Sequence, residues 1–265
     1  MKIAVTKTTI IFISLIFISL MLTGQSYAKV DLGSAVAIWL FDEGKGDMAK
    51  DSTGNGHDGT LTSGPSWVNG KYGTALSLDG AKSWVKIPET DAFALQDFTI
   101  TFFVNPGPQD EGIVTLIDYD HTPANWVVQT ENGMGSKMWY MGYRGKDSAA
   151  WQVDAAGNVE FTEGVWQHIA FVKTGTNMLS YKDGVLVNTR VNADATVDYV
   201  KKPLNLGAWQ GTQRFFNGIL DEVMIYNGVL SADDVKGIAT EGLSNTSVVL
   251  PSGKLPIAWG ELKSQ

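Results

Sequence analysis

Cysteine is absent from the chain, and histidine occurs only three times in 265 residues. Without thiols there is no disulfide to brace the fold, no thiolate nucleophile and no cysteine ligand for zinc. The histidines, His57, His121 and His168, are far apart in the sequence and lack the spacing of zinc ligands. We therefore expect no transition-metal site, and we expect His168, which shares a strand face with Trp166, to be a packed structural histidine.

Positive charge is also scarce, because 20 lysines and arginines stand against 28 acidic residues, for a net charge of −8. An acidic chain is poorly suited to nucleic acid or to an anionic membrane surface. The balance instead suits cations or neutral ligands.

Long apolar runs are missing except near the N-terminus. Lys2 and Lys7 precede the apolar run Ile10–Leu22, and Ser26-Tyr27-Ala28 follows with small residues at the two positions that a signal peptidase reads. The run is shorter than the roughly 20 residues of a membrane span, which favours cleavage over retention as an anchor. Residues 1–28 therefore predict a signal peptide and a secreted, periplasmic or cell-surface protein, with the anchor left as the alternative.

Glycine, by contrast, is abundant, with 29 residues. Many glycines follow Asn or Asp in turn dipeptides, and short apolar or alternating runs such as Phe98–Val104 lie between them. This pattern predicts an all-β fold of two antiparallel sheets. Only Ser231–Ile238 indicates a helix, since a capping serine and two acids precede an apolar face. We expect one domain over residues 29–243 and a loosely docked or undocked tail over residues 244–265.

Four separated groups of segments resemble one known family. They are Trp39–Gly46 with Asp51–Leu61, Gly73–Gly80 with Trp84–Ile87, Trp166–Ala170 with Tyr181–Gly184, and Gly218–Asn227 with Leu230-Ser231. Together they resemble the concanavalin A-like, laminin G-like jellyroll domain of exported bacterial proteins. The resemblance covers roughly Ala35 to Leu243. It implies a two-sheet jellyroll sandwich, a fold that hosts lectins, glycanases and adhesion modules alike.

Hard oxygen donors are concentrated near the start of the predicted domain. Calcium takes about six to eight oxygens from carboxylates, amides and carbonyls, and turns rich in Asp, Asn and Gly supply them. The resemblance implies that Asp221, on a late strand, meets this segment at a calcium site. Strand alternation would place the neighbouring Glu222 on the opposite face. The predicted calcium ligands are Asp42, Asp51, Asn55 and Asp221. The alternative is a tight loop in which Asp and Asn side chains only cap turns.

Catalytic signatures are weak. A retaining glycanase needs two carboxylates about 5–5.5 Å apart, which this architecture supplies from a strand with the pattern Glu-x-Asp-x-x-Glu. The sequence has no such run, and Asp118-Tyr119-Asp120 lacks the third acid. There is no serine elbow and no phosphate-binding loop. We therefore predict a non-catalytic module and keep a glycanase-like enzyme as a minor alternative.

Aromatic residues favour binding, since aromatic rings stack on the apolar faces of sugars. The three tryptophans of the family segments, Trp39, Trp84 and Trp166, are assigned to the core, whereas one of Trp139 and Tyr140 should face inward and the other outward. Arg144 and Arg214 could hydrogen-bond a hydroxyl or a carboxylate. The predicted ligand-binding residues are Trp126, Tyr143, Arg144, Trp151 and Trp209.

Two functions remain open at this point. The first is a calcium-stabilised module that recognises carbohydrate or a protein surface. The second is a structural or adhesive domain without a small-molecule ligand.

Overall fold

The computed structural model describes residues 30–109, 112–119, 124–131, 137–147, 149–153 and 159–243. The predicted signal peptide and tail lie outside these residues, as do Asp120 and His121. The strands in the described part of the chain are β1 (Ala35–Trp39), β2 (Met48–Ala49), β3 (Gly59–Thr62), β4 (Ser66–Asn69), β5 (Thr74–Asp79), β6 (Trp84–Thr90), β7 (Phe98–Pro106), β8 (Thr115–Asp118), β9 (Trp126–Glu131), β10 (Met138–Arg144), β11 (Trp151–Val153), β12 (Val159–Glu160), β13 (Gln167–Thr174), β14 (Asn177–Lys182), β15 (Val185–Val191), β16 (Lys202–Leu206) and β17 (Asn217–Tyr226). A 3₁₀ turn (Leu32–Ser34) precedes them, and one α-helix, α1 (Ala232–Glu241), follows.

These strands form two antiparallel sheets. Sheet A has the order β15-β14-β13-β7-β17-β5-β4, with β1 also paired to β17. Sheet B has the order β11-β10-β9-β8-β16-β6-β3-β2, with β12 paired to β10. The two-sheet, all-β architecture with one short helix confirms the predicted fold class.

Strand alternation explains how the sheets pack. In β7, Phe98, Ile100, Phe102 and Val104 belong to the main core cluster, and the residues between them point to the other side of sheet A. The matching inward residues of sheet B include Trp139 on β10. Each large side chain buried here contributes about 1.5–3 kcal/mol from burial alone. Because no disulfide is available, this core is the main source of stability.

Helix α1 closes the outer side of sheet A. Ser231 and Asp234 form a reciprocal capping box at its start, as the sequence predicts. Val235 and Ile238 are buried in a second apolar cluster with Met224 of β17. The helix therefore covers sheet A rather than extending into solvent. No helix in the described ranges is long and apolar enough to cross a bilayer.

A β-bulge in β17 changes the direction of two acidic side chains. Pairing with β7 shifts register between Asp221 and Met224, and Glu222 has a φ of 46°. Leu220 and Val223 both reach the core, so Asp221 and Glu222 together take the place of one residue on the outer face. The prediction that these two acids face opposite ways is therefore wrong, because simple alternation does not hold across a bulge.

Candidate functional site

The segment from Asp51 to Asp58 folds around one carboxylate. Oδ1 of Asp51 accepts hydrogen bonds from the backbone N of Ile38 (3.1 Å) and from the backbone N (3.0 Å) and Oγ1 (2.7 Å) of Thr53. Oδ2 of Asp51 accepts from the backbone N of His57 (3.1 Å). Both oxygens are thus engaged by donors of the protein, and the carboxylate organises the loop.

Asn55 and Asp58 support the same loop. Nδ2 of Asn55 donates to the backbone oxygens of Ala35 (3.1 Å) and Val36 (3.0 Å), and Oδ1 of Asp58 accepts from the backbone N of Asp51 (2.8 Å). These contacts agree with the tight-loop alternative. Asp51 and Asn55 thus hold the loop and β1 together, and their role as calcium ligands stays a prediction.

Asp42 and Asp221 approach a different segment. Oδ1 of Asp42 accepts from the backbone N of Thr74 (3.0 Å), and Oδ2 of the fully buried Asp221 accepts from the backbone N of Tyr72 (2.9 Å). The structure therefore splits the predicted four-residue metal set into two pairs. In the described part of the chain, no three His, Asp or Glu side chains are grouped to hold a metal ion. An ion between Asp42 and Asp221 would need carbonyl or water oxygens to complete its shell.

Two predicted ligand-binding aromatics lie in the core. Trp126 and Tyr143 have no exposed surface. Nε1 of Trp126 donates to the backbone oxygen of Phe93 (3.3 Å), and the hydroxyl of Tyr143 donates to the backbone oxygen of Asp194. Burial raises the pKa of Tyr143 to about 12. Because neither ring reaches the surface, the prediction that Trp126 and Tyr143 bind a ligand is wrong, and both belong to the core.

The inward direction of Trp139 and Tyr143 fixes the outward face of β10. Trp139, Met141 and Tyr143 belong to the core cluster, so Tyr140 and Arg144 lie on the outer side of sheet B, and both are partly exposed. This resolves the choice that the sequence left open between Trp139 and Tyr140.

Arg144 and Trp151 do meet on the outer side of sheet B. They are cross-strand partners on β10 and β11, and the guanidinium of Arg144 lies 5.5 Å from the centroid of the Trp151 ring. A Cβ atom on Gly142 would come within 2.8 Å of that indole, so the absence of a side chain at Gly142 makes room for the ring. Nη1 of Arg144 also donates to the backbone oxygen of Ala149 (2.9 Å).

A second aromatic–arginine pair lies beside β8 and β9. The guanidinium carbon of Arg214 is 4.4 Å from the centroid of the Trp209 ring, within the range of a cation–π contact. Nη1 of Arg214 donates to Oε1 of Gln129 (3.3 Å), and Nε2 of Gln129 donates to the hydroxyl of Tyr140. Trp209, Arg214 and Tyr140 are all partly exposed. A chain of hydrogen bonds thus runs from Arg214, beside the Trp209 ring, through Gln129 on β9 to Tyr140 on β10.

Trp84 borders this cluster. It is partly exposed, and a Cβ atom on Gly211, in the turn that follows Trp209, would come within 2.5 Å of its ring. The assignment of Trp84 to the core is therefore wrong, and so is that of the partly exposed Trp166, whereas Trp39 is fully buried as predicted. We call the surface formed by Trp84, Tyr140, Trp209 and Arg214, together with the buried Gln129 that joins Tyr140 to Arg214, the Trp209 patch.

Sequence reasoning missed two members of the Trp209 patch. Trp84 could have been found, because Val85 and Ile87 alternate with it and with Lys86, which places Trp84 on the polar side of β6. Gln129 carries no signal of its own in the sequence. Its role follows only from its contacts with Tyr140 and Arg214.

Asp118 lies on the same side of sheet B but is buried. Its Oδ2 accepts from Nδ2 of Asn205 (2.8 Å) and from the backbone N of Gln210 (2.7 Å). The carboxylate thus anchors the Trp209–Gln213 turn against β8 and β16. The adjacent Tyr119 points into the core.

Comparison with known proteins identifies the fold. Domain 4 of an extracellular arabinanase from Geobacillus stearothermophilus, solved with arabinotriose, has 23% identity and a TM-score of 0.63 over 80% of this chain and 100% of that domain. The binding domain of Paraclostridial mosquitocidal protein 1 has 14% identity and a TM-score of 0.65, and this chain spans 56% of it. The binding domain of botulinum neurotoxin serotype G has 14% identity and a TM-score of 0.62, with 50% of its length covered.

Sequence comparison places the chain in a family. No curated protein sequence matches the chain. The family model described as the concanavalin A-like lectin/glucanases superfamily, of laminin G type, matches residues 79–236. Since this match spans more than half of the sequence, the chain belongs to the laminin G-like members of the concanavalin A-like lectin/glucanases superfamily.

Proposed function

We propose that the chain is an exported, non-catalytic module that binds carbohydrate through the Trp209 patch. The observation that carries the proposal is the partly exposed Trp209 ring, which lies beside the guanidinium of Arg214, with the hydroxyl of Tyr140 connected to that guanidinium through the buried Gln129. Sugars present apolar CH faces that stack on aromatic rings and hydroxyl groups that need nearby donors and acceptors. The Trp209 patch offers both, from β6, β9, β10 and the loop between β16 and β17.

One of the structural relatives supports carbohydrate as the ligand. The arabinanase domain was solved with arabinotriose, and this chain covers that whole domain. The toxin relatives are binding domains, of which this chain spans about half. The experiment below must therefore distinguish binding of carbohydrate from binding of a protein partner.

The absence of catalysis is part of the proposal. Hydrolysis with retention needs two carboxylates that reach the glycosidic bond. On this side of sheet B, the carboxylate of Asp118 is buried and already accepts from Asn205 and Gln210. Asp118 therefore supports the site as an anchor and not as an acid or nucleophile. The proposal of export rests on the N-terminal segment Lys2–Ala28.

Substitution of Trp209 tests the proposal. We expect Trp209→Ala to weaken glycan binding about tenfold, since loss of an aromatic platform removes both stacking and apolar contact. Trp166→Ala is the matched control, because Trp166 is also partly exposed but precedes β13 in the other sheet. Binding would be measured by glycan array and then by calorimetry, with circular dichroism to verify folding.

Two results would contradict the proposal. The first is a folded parent protein that binds no glycan on the array. The second is equal loss of affinity in both variants, which would point to a general effect on stability. Protein capture without glycan binding would favour the adhesive alternative.

Calcium is proposed as a structural ion held by Asp42 and Asp221. In support, both carboxylates contact the same segment, at Thr74 and Tyr72, although they come from distant parts of the sequence. Two nearby acids repel one another unless one is protonated or a cation lies between them. When bound, calcium would neutralise the repulsion between the two carboxylates and would link the segment after β1, which carries Asp42, to β17, which carries Asp221.

A further inference from the structure

The guanidinium of Arg214 is held in place without an acidic partner among the described residues. It lies on the Trp209 ring and donates from Nη1 to Gln129. The ion pairs between described residues involve Lys137, Lys173 and Lys201 but not Arg214. The charge of Arg214 is therefore oriented but not neutralised by a carboxylate of this part of the protein.

The backbone and the neighbours of Arg214 keep that orientation fixed. Its carbonyl oxygen accepts from the backbone N of Thr115 (2.8 Å), and its φ of 55° is a conformation that non-glycine residues rarely adopt. Gln129, its hydrogen-bond partner, is itself buried between Tyr140 and Arg214. A side chain that is already ordered loses less conformational entropy when a ligand binds.

The second arginine on this side of sheet B differs in one respect. Nη1 of Arg144 donates to the backbone oxygen of Ala149, which closes its own turn. The Nη1 group of Arg214 instead joins Gln129, a side chain of the Trp209 patch. Arg214 is thus the arginine that combines a cation–π contact with a position inside the proposed carbohydrate site.

We propose that the Trp209 patch selects sugars that carry a carboxylate, with Arg214 binding the carboxylate and Trp209 contacting the sugar ring. This inference rests on the proposed carbohydrate-binding function. The planar guanidinium matches a carboxylate in geometry and forms charge-assisted hydrogen bonds with it. The proposed ligand class is an oligosaccharide containing uronic acid.

The experiment compares acidic sugars with neutral partners of the same structure. Trisaccharides of galacturonate, glucuronate, mannuronate and guluronate would be titrated into the whole protein by calorimetry, each beside its carboxyl-reduced form. We expect at least one acidic trisaccharide to bind about tenfold more tightly than its reduced form, the size expected for a charge-assisted contact at a partly exposed site. The preference should shrink as salt is raised, since exposed charges are screened.

Three variants assign the effect to Arg214. Arg214→Gln should remove the preference for the acid, and Arg214→Lys should keep part of it, because the charge remains but the planar fork is lost. Arg190→Gln changes the net charge by the same amount on the exposed strand β15 of the other sheet and should leave the preference intact.

The outcomes separate this inference from the function on which it rests. If reduced trisaccharides bind as tightly as acidic ones, carboxylate selection is refuted while carbohydrate binding stands. A preference that persists in Arg214→Gln also refutes the role given to Arg214. If neither acidic nor neutral sugars bind to the folded protein, both proposals fail.

Discussion

The buried His168 should make the protein lose stability in acid, and the size of the loss can be worked out from its environment. His168 is almost fully buried against Phe103, with ring centroids 4.9 Å apart. Its Nε2 forms a hydrogen bond with Oγ1 of Thr101, and its Nδ1 has no hydrogen-bond partner among the described residues. Burial lowers the pKa of His168 from 6.5 to about 3, because a protonated ring cannot be solvated there.

The sign of the effect follows from where the proton binds. Below pH 6.5 the unfolded chain takes up a proton at His168, whereas the folded chain does so only near pH 3. The free energy of unfolding is therefore unaffected by protonation of His168 above pH 6.5, and it decreases as the pH falls below that value. At about pH 4.5 the loss should reach about 2–3 kcal/mol, at roughly 1.4 kcal/mol per pH unit.

Urea unfolding at about pH 7.5 and pH 4.5, followed by tryptophan fluorescence, measures this loss. His168→Gln is the comparison, since its amide can still bond Thr101 but does not titrate. The carboxylates, including Asp183, which accepts from the backbone N of His168, are present in both proteins and cancel in the difference. The parent should lose about 2–3 kcal/mol more than the variant between the two pH values. Equal losses in the two proteins would refute the reasoning.

Two further predictions concern the backbone of β17 and the proposed ion. Gly218→Ala should lower the free energy of unfolding by about 1–3 kcal/mol more than Gly112→Ala. The two glycines have similar φ values, 149° and 150°, but only at Gly218 would an added Cβ atom meet backbone, 2.7 Å from the oxygen of Asn105. Urea unfolding checks the difference, and equal costs would contradict the steric argument. Millimolar calcium should raise the melting temperature by about 5–10 °C over excess chelator at roughly 100 times the dissociation constant. Asp221→Asn should abolish that shift, and a parent whose melting temperature is the same in both buffers has no such site.

Much of the fold is predictable because it depends on local chemistry. Asp183-Gly184 has positive φ at both positions, 49° and 78°, as a tight hairpin turn between β14 and β15 requires. Alternation in Phe98–Val104 gives the correct inward residues of β7. The short strands β3 and β4 have no such signal, because Gly59–Thr62 and Ser66–Asn69 become strands only by pairing with β6 and β5.

The candidate site is less predictable because alternation gives a period but not its phase. Trp126 and Tyr143 were predicted to contact a ligand, yet they are directly opposite each other on β9 and β10 and both point into the core. Tyr140 then faces outward for the same reason. A shift of β10 by one residue in register would exchange the core and surface residues of the whole strand.

Some features of the site lie beyond any local rule. Gln129 and Arg214 are 85 positions apart and meet only because the turn after Trp209 returns along β8. Asp118 contributes to this arrangement from inside the sheet, since its buried carboxylate holds the backbone N of Gln210 and thereby the turn. A carboxylate that sequence reasoning examined as a catalytic acid thus acts by positioning an aromatic–arginine pair. Selectivity at the Trp209 patch should accordingly depend on the Trp209–Gln213 turn and on the strand register that places Gln129 beneath Arg214.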